Sequence, residues 1–403
     1  MNAQPLGDAL KSFLHDDAVA TLHLRSMYDD RTNPHFPNYV AWAGGGWVGY
    51  ETGWLYDILQ LGGVAYTTQP LWAPSTTPGS LTLKLDQHGF YVLGQAYASI
   101  RAKDHVFTAY RQMVDELEVN PNDDRMIPNT FEAYALRGRL AEVDYFAGYV
   151  AAMKPRDYST FLNMGERAGA PNVDAGMGLF SLKYGSIDDL RLRGSAYYVP
   201  DILTSTYGDA VWTIPSSGPV KFQLNANLMI QGSNGLHRLT GKPFSTWSGG
   251  ARGDMIWGPG SLWVAYTQTG SADLWRSPYG VWLGFTKQLV LDFDRANEKA
   301  FQIGATLDFA ALNLPGLNLI ASGTFGADAL TPTTGAYLPQ NTEYNFDLIY
   351  QVPEKAAAPD WLKPLQLRAR AGYVEINTAG NLSALTEYRF ILNYELKFRG
   401  RDY

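Results

Sequence analysis

Arginines spaced two residues apart are the side chains of this sequence with the clearest capacity for chemistry. A guanidinium group is always charged and can bind a carboxylate through two parallel hydrogen bonds. The arginines that stand alone or in pairs within alternating polar and apolar stretches are Arg25, Arg191, Arg193, Arg368, Arg370 and Arg389. Because residues i and i+2 of a β-strand face the same side of a sheet, each pair would place two cations on one face. The pattern predicts a surface that attracts carboxylates.

The segment 113–128, MVDELEVNPNDDRMIP, interrupts the alternation and concentrates negative charge around one cation, Arg125. Its carboxylates are Asp115, Glu116, Glu118, Asp123 and Asp124. A long irregular segment inside a regular β chain is usually functional or disordered. Each carboxylate by itself is better explained as a solvated surface charge. As a unit, the segment could narrow an aqueous passage if the strands around it enclose one, and its charges would then select what passes.

Other reactive groups lack the neighbours that catalysis or cofactor binding requires. The chain has no cysteine, which excludes disulfides, thiolate metal sites and cysteine nucleophiles. None of the six histidines lies at metal-ligand spacing, and His23 is better explained as a wetted side chain. The motif Gly-x-Ser-x-Gly is absent, and Gly44-Gly45-Gly46 lacks the lysine and hydroxyl residue of a phosphate loop. We therefore expect no enzyme activity, no cofactor and no metal.

The hairpin at 365–398 shows most plainly which elements would carry the arginines. One face of its second arm is apolar and aromatic at both ends, and the opposite face carries Glu387, Arg389, Glu395 and Lys397. Charged side chains are not placed in a packed core without partners, so one face is wet. Alternation alone leaves both a soluble sandwich and a barrel open. Aromatic strand ends favour a bilayer, where tyrosine and phenylalanine suit the two water interfaces.

Composition also favours a membrane barrel over a sandwich. The 403 residues include 25 Tyr, 11 Trp and 40 Gly, and only 18% are charged, against roughly 25% in typical soluble domains. No run of about 18 apolar residues exists that would form a transmembrane helix. The net charge of −7 argues against nucleic acid as a partner. No signal peptide precedes residue 2, so we expect a mature chain.

The two-faced pattern recurs along the chain and predicts roughly 16 to 18 strands, a size that leaves an aqueous channel. Strand-like runs include 81–85, 91–100 and 105–112. Turns alternate in length, with short ones near 215–219 and 315–316 and long ones near 232–243, 270–280 and 327–341, as at the two ends of a membrane barrel. No repeat of 20 to 50 residues supports a propeller or solenoid. The predicted fold is an all-β, transmembrane, antiparallel up-and-down β-barrel.

Several stretches, in the order in which they occur, resemble the OprD family of outer-membrane porins. The stretches are 13–31 (FLHDDAVATLHLRSMYDDR), 49–62, 125–136 (RMIPNTFEAYAL), 244–250 (FSTWSGG), 292–326, 365–370 (LQLRAR) and 387–396 (EYRFILNYEL). The resemblance implies a barrel of about 18 strands in the outer membrane of a Gram-negative bacterium. It also implies one domain over 1–403, with 1–18 as a lead-in and 113–128 as a constriction loop.

The resemblance further implies roles for individual residues. Family members carry an inward ladder of cations that guides carboxylate solutes to a constriction narrowed by the third external loop. Arg25, Arg368, Arg370 and Arg389 fall on the matching motifs, whereas Arg191 and Arg193 are added by alternation alone. The segment 113–128, with Arg125 and its carboxylates, falls at the constriction loop, and 268–285 falls at a second inward loop. Alternatively, the arginines pair with the loop carboxylates across the lumen. Such pairing and the guidance of solutes can occur in the same channel.

The function expected from these observations is passive, substrate-biased diffusion of small carboxylate-bearing solutes, such as aromatic acids or amino acids. An acidic loop opposite the arginines would repel simple dianions and favour a carboxylate joined to a neutral or cationic part. The alternatives are a general diffusion porin, a scaffold barrel that sheathes a partner protein, or an outer-membrane hydrolase. The expected partners are these solutes and outer-membrane lipid, without nucleic acid, and the expected state is a monomer or a weak homotrimer.

Overall fold

A computed structural model of the protein describes residues 5–33, 38–378 and 380–402. Residues 1–4 of the predicted lead-in and Tyr403 lie outside the described residues. Nearly all of the described chain forms strands joined by turns and loops. The strands are β1 Val19–Thr32, β2 Tyr39–Glu51, β3 Leu59–Trp72, β4 Phe90–Ala102, β5 His105–Gln112, β6 Thr130–Leu140, β7 Val143–Lys154, β8 Leu162–Asn163, β9 Met177–Gly185, β10 Leu190–Val199, β11 Leu203–Ile214, β12 Val220–Gly232, β13 Ser245–Trp257, β14 Gly260–Thr269, β15 Lys299–Asp308, β16 Leu317–Ala327, β17 Gln340–Gln351, β18 Leu365–Thr378 and β19 Asn381–Arg399.

The sheet closes on itself into a barrel of 18 antiparallel strands. Successive strands pair along the chain, and β1 pairs with β2 on one edge and with β19 on the other. The two-residue β8 pairs only with β7, which pairs directly with β9 to continue the ring. This closure confirms the predicted up-and-down barrel and leaves no sheet edge in the bilayer.

The two faces of the strands lie as the alternation predicts. In β19, Tyr388 and Phe390 point outward and are 47% and 56% exposed, whereas Glu387 and Arg389 point inward and are 0% and 1% exposed. Arg25 of β1 is also inside and buried. The outer face is therefore the lipid boundary, and the charged side chains meet in the lumen.

Most connections are short at one end of the barrel and long at the other; the exceptions include 352–364 at the first end and 200–202 at the second. Both termini lie at the short end, because Val19 at the start of β1 pairs with Arg399 at the end of β19. Short connections such as 103–104, 141–142 and 258–259 share this end, and long loops at 73–89, 113–129, 155–176, 233–244, 270–298 and 328–339 lie at the other. In outer-membrane barrels the short turns are periplasmic and the long loops face the outside.

The prediction of a strand at 81–85 is wrong. Strand β3 continues to Trp72, and 73–89 form an irregular loop. Thr82 and Leu83 of this loop are fully buried, and Thr68 Oγ1 donates to the Thr82 carbonyl at 2.8 Å. The alternation in the sequence LTLKL therefore reflects a loop packed on the inner wall, without a neighbouring strand to pair with.

Helices are few and short. They are α1 Leu6–Lys11, a π-helical turn at Ser12–Asp16, α2 Met164–Ala168 and 3₁₀ turns at Phe309–Leu312, Asp360–Leu362 and Gly400–Asp402. Within 5–33, 38–378 and 380–402, no helix has the length and apolar character needed to cross a membrane.

Two glycines of the triple glycine of β2, Gly45 and Gly46, lie where the backbone of a neighbouring strand leaves no room for a side chain. Gly46 has φ +130°, and a Cβ there would lie 1.9 Å from the His23 carbonyl oxygen. At Gly44 a Cβ would meet only the Leu71 side chain, whose Cδ1 would be 3.1 Å away.

We therefore expect Gly46→Ala to destabilise the barrel by roughly 1–3 kcal/mol or more, because it adds backbone strain and a clash with the neighbouring strand. The matched variant Gly44→Ala should cost far less, since the Leu71 side chain can move. Urea unfolding in lipid vesicles measures both effects. Equal stability of the two variants would contradict the assignment of strain to Gly46.

Candidate functional site

The loop 113–129 leaves the wall between β5 and β6 and folds into the lumen. Its apolar side chains Val114, Val119, Met126 and Ile127 are fully buried. The first two belong to a core with wall residues of β6, β7 and β9 to β11, and the last two pack with Met27 and its neighbours on the opposite side. The loop is therefore held against two parts of the wall, and its charged residues lie between them.

A second loop, 270–298, also folds inward and packs on the first. Trp275, Tyr279 and Trp282 are at most 2% exposed. The Val281 N–H donates to Asn120 Oδ1 at 3.1 Å, and the Asn120 N–H donates to the Tyr279 carbonyl at 3.3 Å. The structure thus places the predicted second inward loop at 270–298, because residues 268 and 269 belong to β14 and the loop continues beyond residue 285. The family resemblance predicted the position of this loop, whereas the burial of its aromatic side chains was not predicted.

Arg25 ties the first loop to the barrel wall. Its Nη1 donates to Asp123 Oδ1 and to the Arg125 carbonyl, each at 2.6 Å, and its Nε donates to Asn393 Oδ1 at 2.7 Å. The guanidinium also lies 5.4 Å from the centre of the Trp47 ring. With all these partners the Arg25 side chain is only 7% exposed. Arg25 is therefore better placed to hold the loop against the wall than to bind and release solutes.

A second ionic cluster joins the loop to β19. Asp124 Oδ2 accepts from Arg125 Nη1 at 2.9 Å and lies 3.5 Å from Arg389 Nη1, and Asp124 Oδ1 contacts Arg156. Arg389 also donates to Glu387 Oε1 at 2.5 Å. The Arg125 and Arg389 side chains are only 5% and 1% exposed, so their guanidinium groups interact with protein carboxylates and are not accessible to a solute.

The predicted pair on β18 shares one carboxylate of the neighbouring strand and keeps part of its surface open. Arg368 Nε donates to Asp347 Oδ1 at 2.8 Å, and Arg370 Nε lies 3.1 Å from Asp347 Oδ2 without hydrogen-bond alignment. The two arginine side chains are 32% and 20% exposed. Two cations facing one carboxylate leave a net positive patch in the lumen.

The other predicted pair lies on β10, in another part of the wall. Arg193 Nε donates to both oxygens of Asp209 at 3.1 Å, and Arg191 Nη2 lies 3.9 Å from the same carboxylate. These side chains are 31% and 18% exposed. Sequence reasoning missed Asp209, although it lies on the polar face of β11, because only the strand register shows which residues meet across the ladder.

Two cavities adjoin the inward loop. The larger, about 770 Å³, is lined by the carboxylates of Asp115, Glu116, Asp123, Asp124 and Asp144 and by the cations of Lys183 and Arg193. The other, about 510 Å³, has an aromatic lining of Trp47, Tyr66 and Tyr97. Asp123 and Pro121 border both cavities, so the tip of the loop separates two chambers of one lumen.

The structure does not bring all the predicted carboxylates to these cavities. Glu116 lines the larger one and accepts a hydrogen bond from Ser181. Glu118 is buried behind the loop, where Oε1 accepts from Ser205 Oγ at 2.7 Å and Oε2 has no partner among the described residues. Burial raises the pKa of the Glu118 carboxyl to about 7.

This carboxyl makes loop packing depend on pH. Its ordinary pKa is 4.5, so the packed loop favours the protonated form, and packing is most stable below pH 4.5. Stability falls as the pH rises through about 7, by on the order of 3 kcal/mol. We expect Glu118→Gln to keep the bond to Ser205 and to remove most of this loss, while Glu116 of the same loop, whose pKa burial also raises, keeps its own smaller contribution.

Hydrogen exchange of 113–129 at pH 5 and pH 8, corrected for intrinsic rates, measures the effect. The exposed Asp115→Asn is the control and should behave as the parent protein does. Equal protection of the parent loop at the two pH values would rule out the assigned role of Glu118.

Comparisons with known proteins agree with this architecture. A sequence model of the family described as outer membrane porin, OprD family, matches residues 11–398. No curated protein matches the chain. Among solved structures, Pseudomonas aeruginosa OpdK with vanillate is similar at TM-score 0.83 and 19% identity, covering 96% of this chain and 100% of that one.

Two further porins have the same fold. P. aeruginosa OccK9 (OpdG) is similar at TM-score 0.84 and 21% identity, with 96% of this chain and 100% of that chain covered. A BenF-like porin from Pseudomonas fluorescens Pf-5 is similar at TM-score 0.82 and 18% identity, with the same coverage. Since the family match spans nearly the whole chain and the barrel is of the same type, the protein belongs to the OprD family of outer membrane porins.

Proposed function

We propose that this porin is a substrate-biased channel for small solutes that carry a carboxylate, with exposed lumen arginines as its binding groups. The observation that carries the proposal is the partial exposure of Arg368 and Arg193. Each keeps about a third of its side chain open, at 32% and 31%, beside a second arginine. A solute carboxylate can therefore compete for a guanidinium that is positioned but not enclosed.

The arginines named from the sequence divide into two roles in this proposal. Solutes contact the partly exposed arginines of the wall, which are Arg368, Arg370, Arg191 and Arg193. The buried Arg25, Arg125 and Arg389 hold the inward loop in place and contact no solute. Strong binding at any one of the exposed arginines would slow passage, and the carboxylates of Asp347 and Asp209 prevent this by competing with the solute.

The inward loop 113–129 determines which carboxylate-bearing solutes the channel prefers. Its carboxylates dominate the lining of the larger cavity, while Lys183 and Arg193 lie among them. A dianion meets repulsion there, whereas a monocarboxylate with a neutral or cationic part meets both signs of charge. The vanillate in the similar OpdK structure makes an aromatic monocarboxylate a reasonable first probe for this chain.

The alternatives are less well supported. A scaffold barrel around a partner protein needs a wide lumen, and the two packed inward loops occupy part of it. A general diffusion porin would admit solutes by size alone, without regard to the carboxylate. Comparison of a carboxylate with its neutral amide therefore separates that alternative from the proposal.

The first prediction concerns ion selectivity. Replacing both Arg368 and Arg370 by alanine leaves Asp347 uncompensated in the lumen, so the ratio of anion to cation permeability should fall several-fold. Reversal potentials in planar bilayers under a salt gradient measure this ratio. The control Arg101→Ala/Lys363→Ala removes two cations that pair with Asp57 and Asp360 at the short-turn end and should change the ratio much less. An unchanged reversal potential in the first variant would refute the role of these two arginines.

The second prediction concerns solute preference. Arg193→Ala should reduce the uptake of benzoate in liposome-swelling assays several-fold and leave benzamide uptake nearly unchanged, because only the charged solute uses the guanidinium. Arg193→Lys keeps the charge without the two-pronged geometry and should give an intermediate rate. If the parent protein takes up the acid and the amide at equal rates, a general diffusion porin is the better description.

A further inference from the structure

We propose that the N-terminal helical segment 6–16 is a lipid-binding element that lies in the periplasmic interface of the outer membrane. The segment comprises α1 and the π-helical turn that follows it. Leu6, Leu10 and Leu14 recur every four residues along one side of it. They are 60%, 39% and 55% exposed, although leucine is among the residues most often buried.

The side of the segment next to the leucine row is fixed to the barrel. Ala9 and Phe13 are 2% and 7% exposed, and the Gly53 N–H donates to the Phe13 carbonyl at 2.8 Å. At the end of the segment, Asp17 forms an ion pair with Arg401 beyond the last strand. The leucines therefore point in a defined direction, because the adjoining side of the segment is already packed.

The exposed leucines are continuous with the lipid-facing surface of the barrel. Tyr50 Oη donates to the Leu14 carbonyl at 2.5 Å. Tyr50 and Val48 lie on the outer face of β2 and are 45% and 57% exposed, and Phe398 on the outer face of β19 is 38% exposed. Aromatic residues at this level mark the border between acyl chains and headgroups. The leucine row extends this border below the strand ends.

Continuity with the lipid boundary identifies phospholipid as the occupant of the leucine face. The segment also carries charged groups suited to the headgroup level, since Lys11 Nζ lies 3.3 Å from Asp16 Oδ2 and both side chains are exposed to solvent. An apolar row with charges beside it is the pattern of a helix that lies in an interface without crossing the membrane. The acyl chains near the headgroups then cover the three leucines.

The absence of cysteine allows a direct test with single nitroxide labels. Leu10→Cys and Leu14→Cys are labelled in the full chain, reconstituted into vesicles of phosphatidylethanolamine and phosphatidylglycerol. Phe390→Cys is the lipid-facing control. The water-facing controls are Asp8→Cys on the same helix and Leu85→Cys, an apolar loop residue that is 76% exposed. The ratio of nitroxide collisions with oxygen to collisions with a nickel chelate measures depth.

We expect the ratio at Leu10→Cys and Leu14→Cys to be several-fold higher than at both water-facing controls and to approach that at Phe390→Cys. A ratio equal to that at Leu85→Cys would overturn the proposal. Low collision rates with both reagents would also overturn it, because a second copy or another protein would then cover the face. Leu6→Cys, the most exposed of the three, provides the same measurement should either other variant fail to insert.

Discussion

A backbone N–H or C=O without a partner costs several kcal/mol inside a bilayer, and this constraint underlies the whole structure. It requires every membrane-spanning strand to pair on both edges, which the pairing of β1 with β19 completes. Once the sheet is closed, alternate side chains must face lipid and lumen. An apolar outer face follows from the lipid, and a polar inner face follows from the water that the ring encloses. The arginines are tolerated in a membrane-spanning element only because they lie on that inner face.

The inner charges in turn determine how the lumen is filled. Arg25 and Arg389 would be poorly solvated in a narrow passage, and the carboxylates of Asp123 and Asp124 on the inward loop compensate them. The loop thereby gains fixed contacts on one side of the barrel, while Val114 and Val119 gain apolar contacts on the other. Ionic and apolar contacts at different points explain how an irregular segment keeps one position. The pairing across the lumen that the sequence left open as an alternative therefore accounts for some of the arginines.

The sequence predicted the barrel well because its strongest signal, a period of two with a charged face, is itself imposed by the membrane. The alternation of polar and apolar residues alone predicted that Arg25, Arg368 and Arg389 lie on the polar face of their strands. The alternation cannot reveal the register between neighbouring strands, so only the structure shows that Arg191 and Arg193 share Asp209. The loop at 81–85 alternates apolar and polar residues as a strand does, but it packs on the wall by long-range contacts. The buried position of Glu118 also depends on long-range contacts, which no local sequence pattern reports.

The division of the arginines follows from how each carboxylate is supported. Asp123 and Asp124 belong to a loop that is anchored elsewhere, so an arginine paired with them is enclosed and stays paired. Asp347 and Asp209 belong to the wall, and each is covered by two arginines whose side chains stay partly exposed to the lumen. One carboxylate cannot neutralise two cations, and a residual positive charge therefore remains on the wall. A channel built in this way can position its exposed arginines through protein contacts and still leave part of their charge for a passing solute.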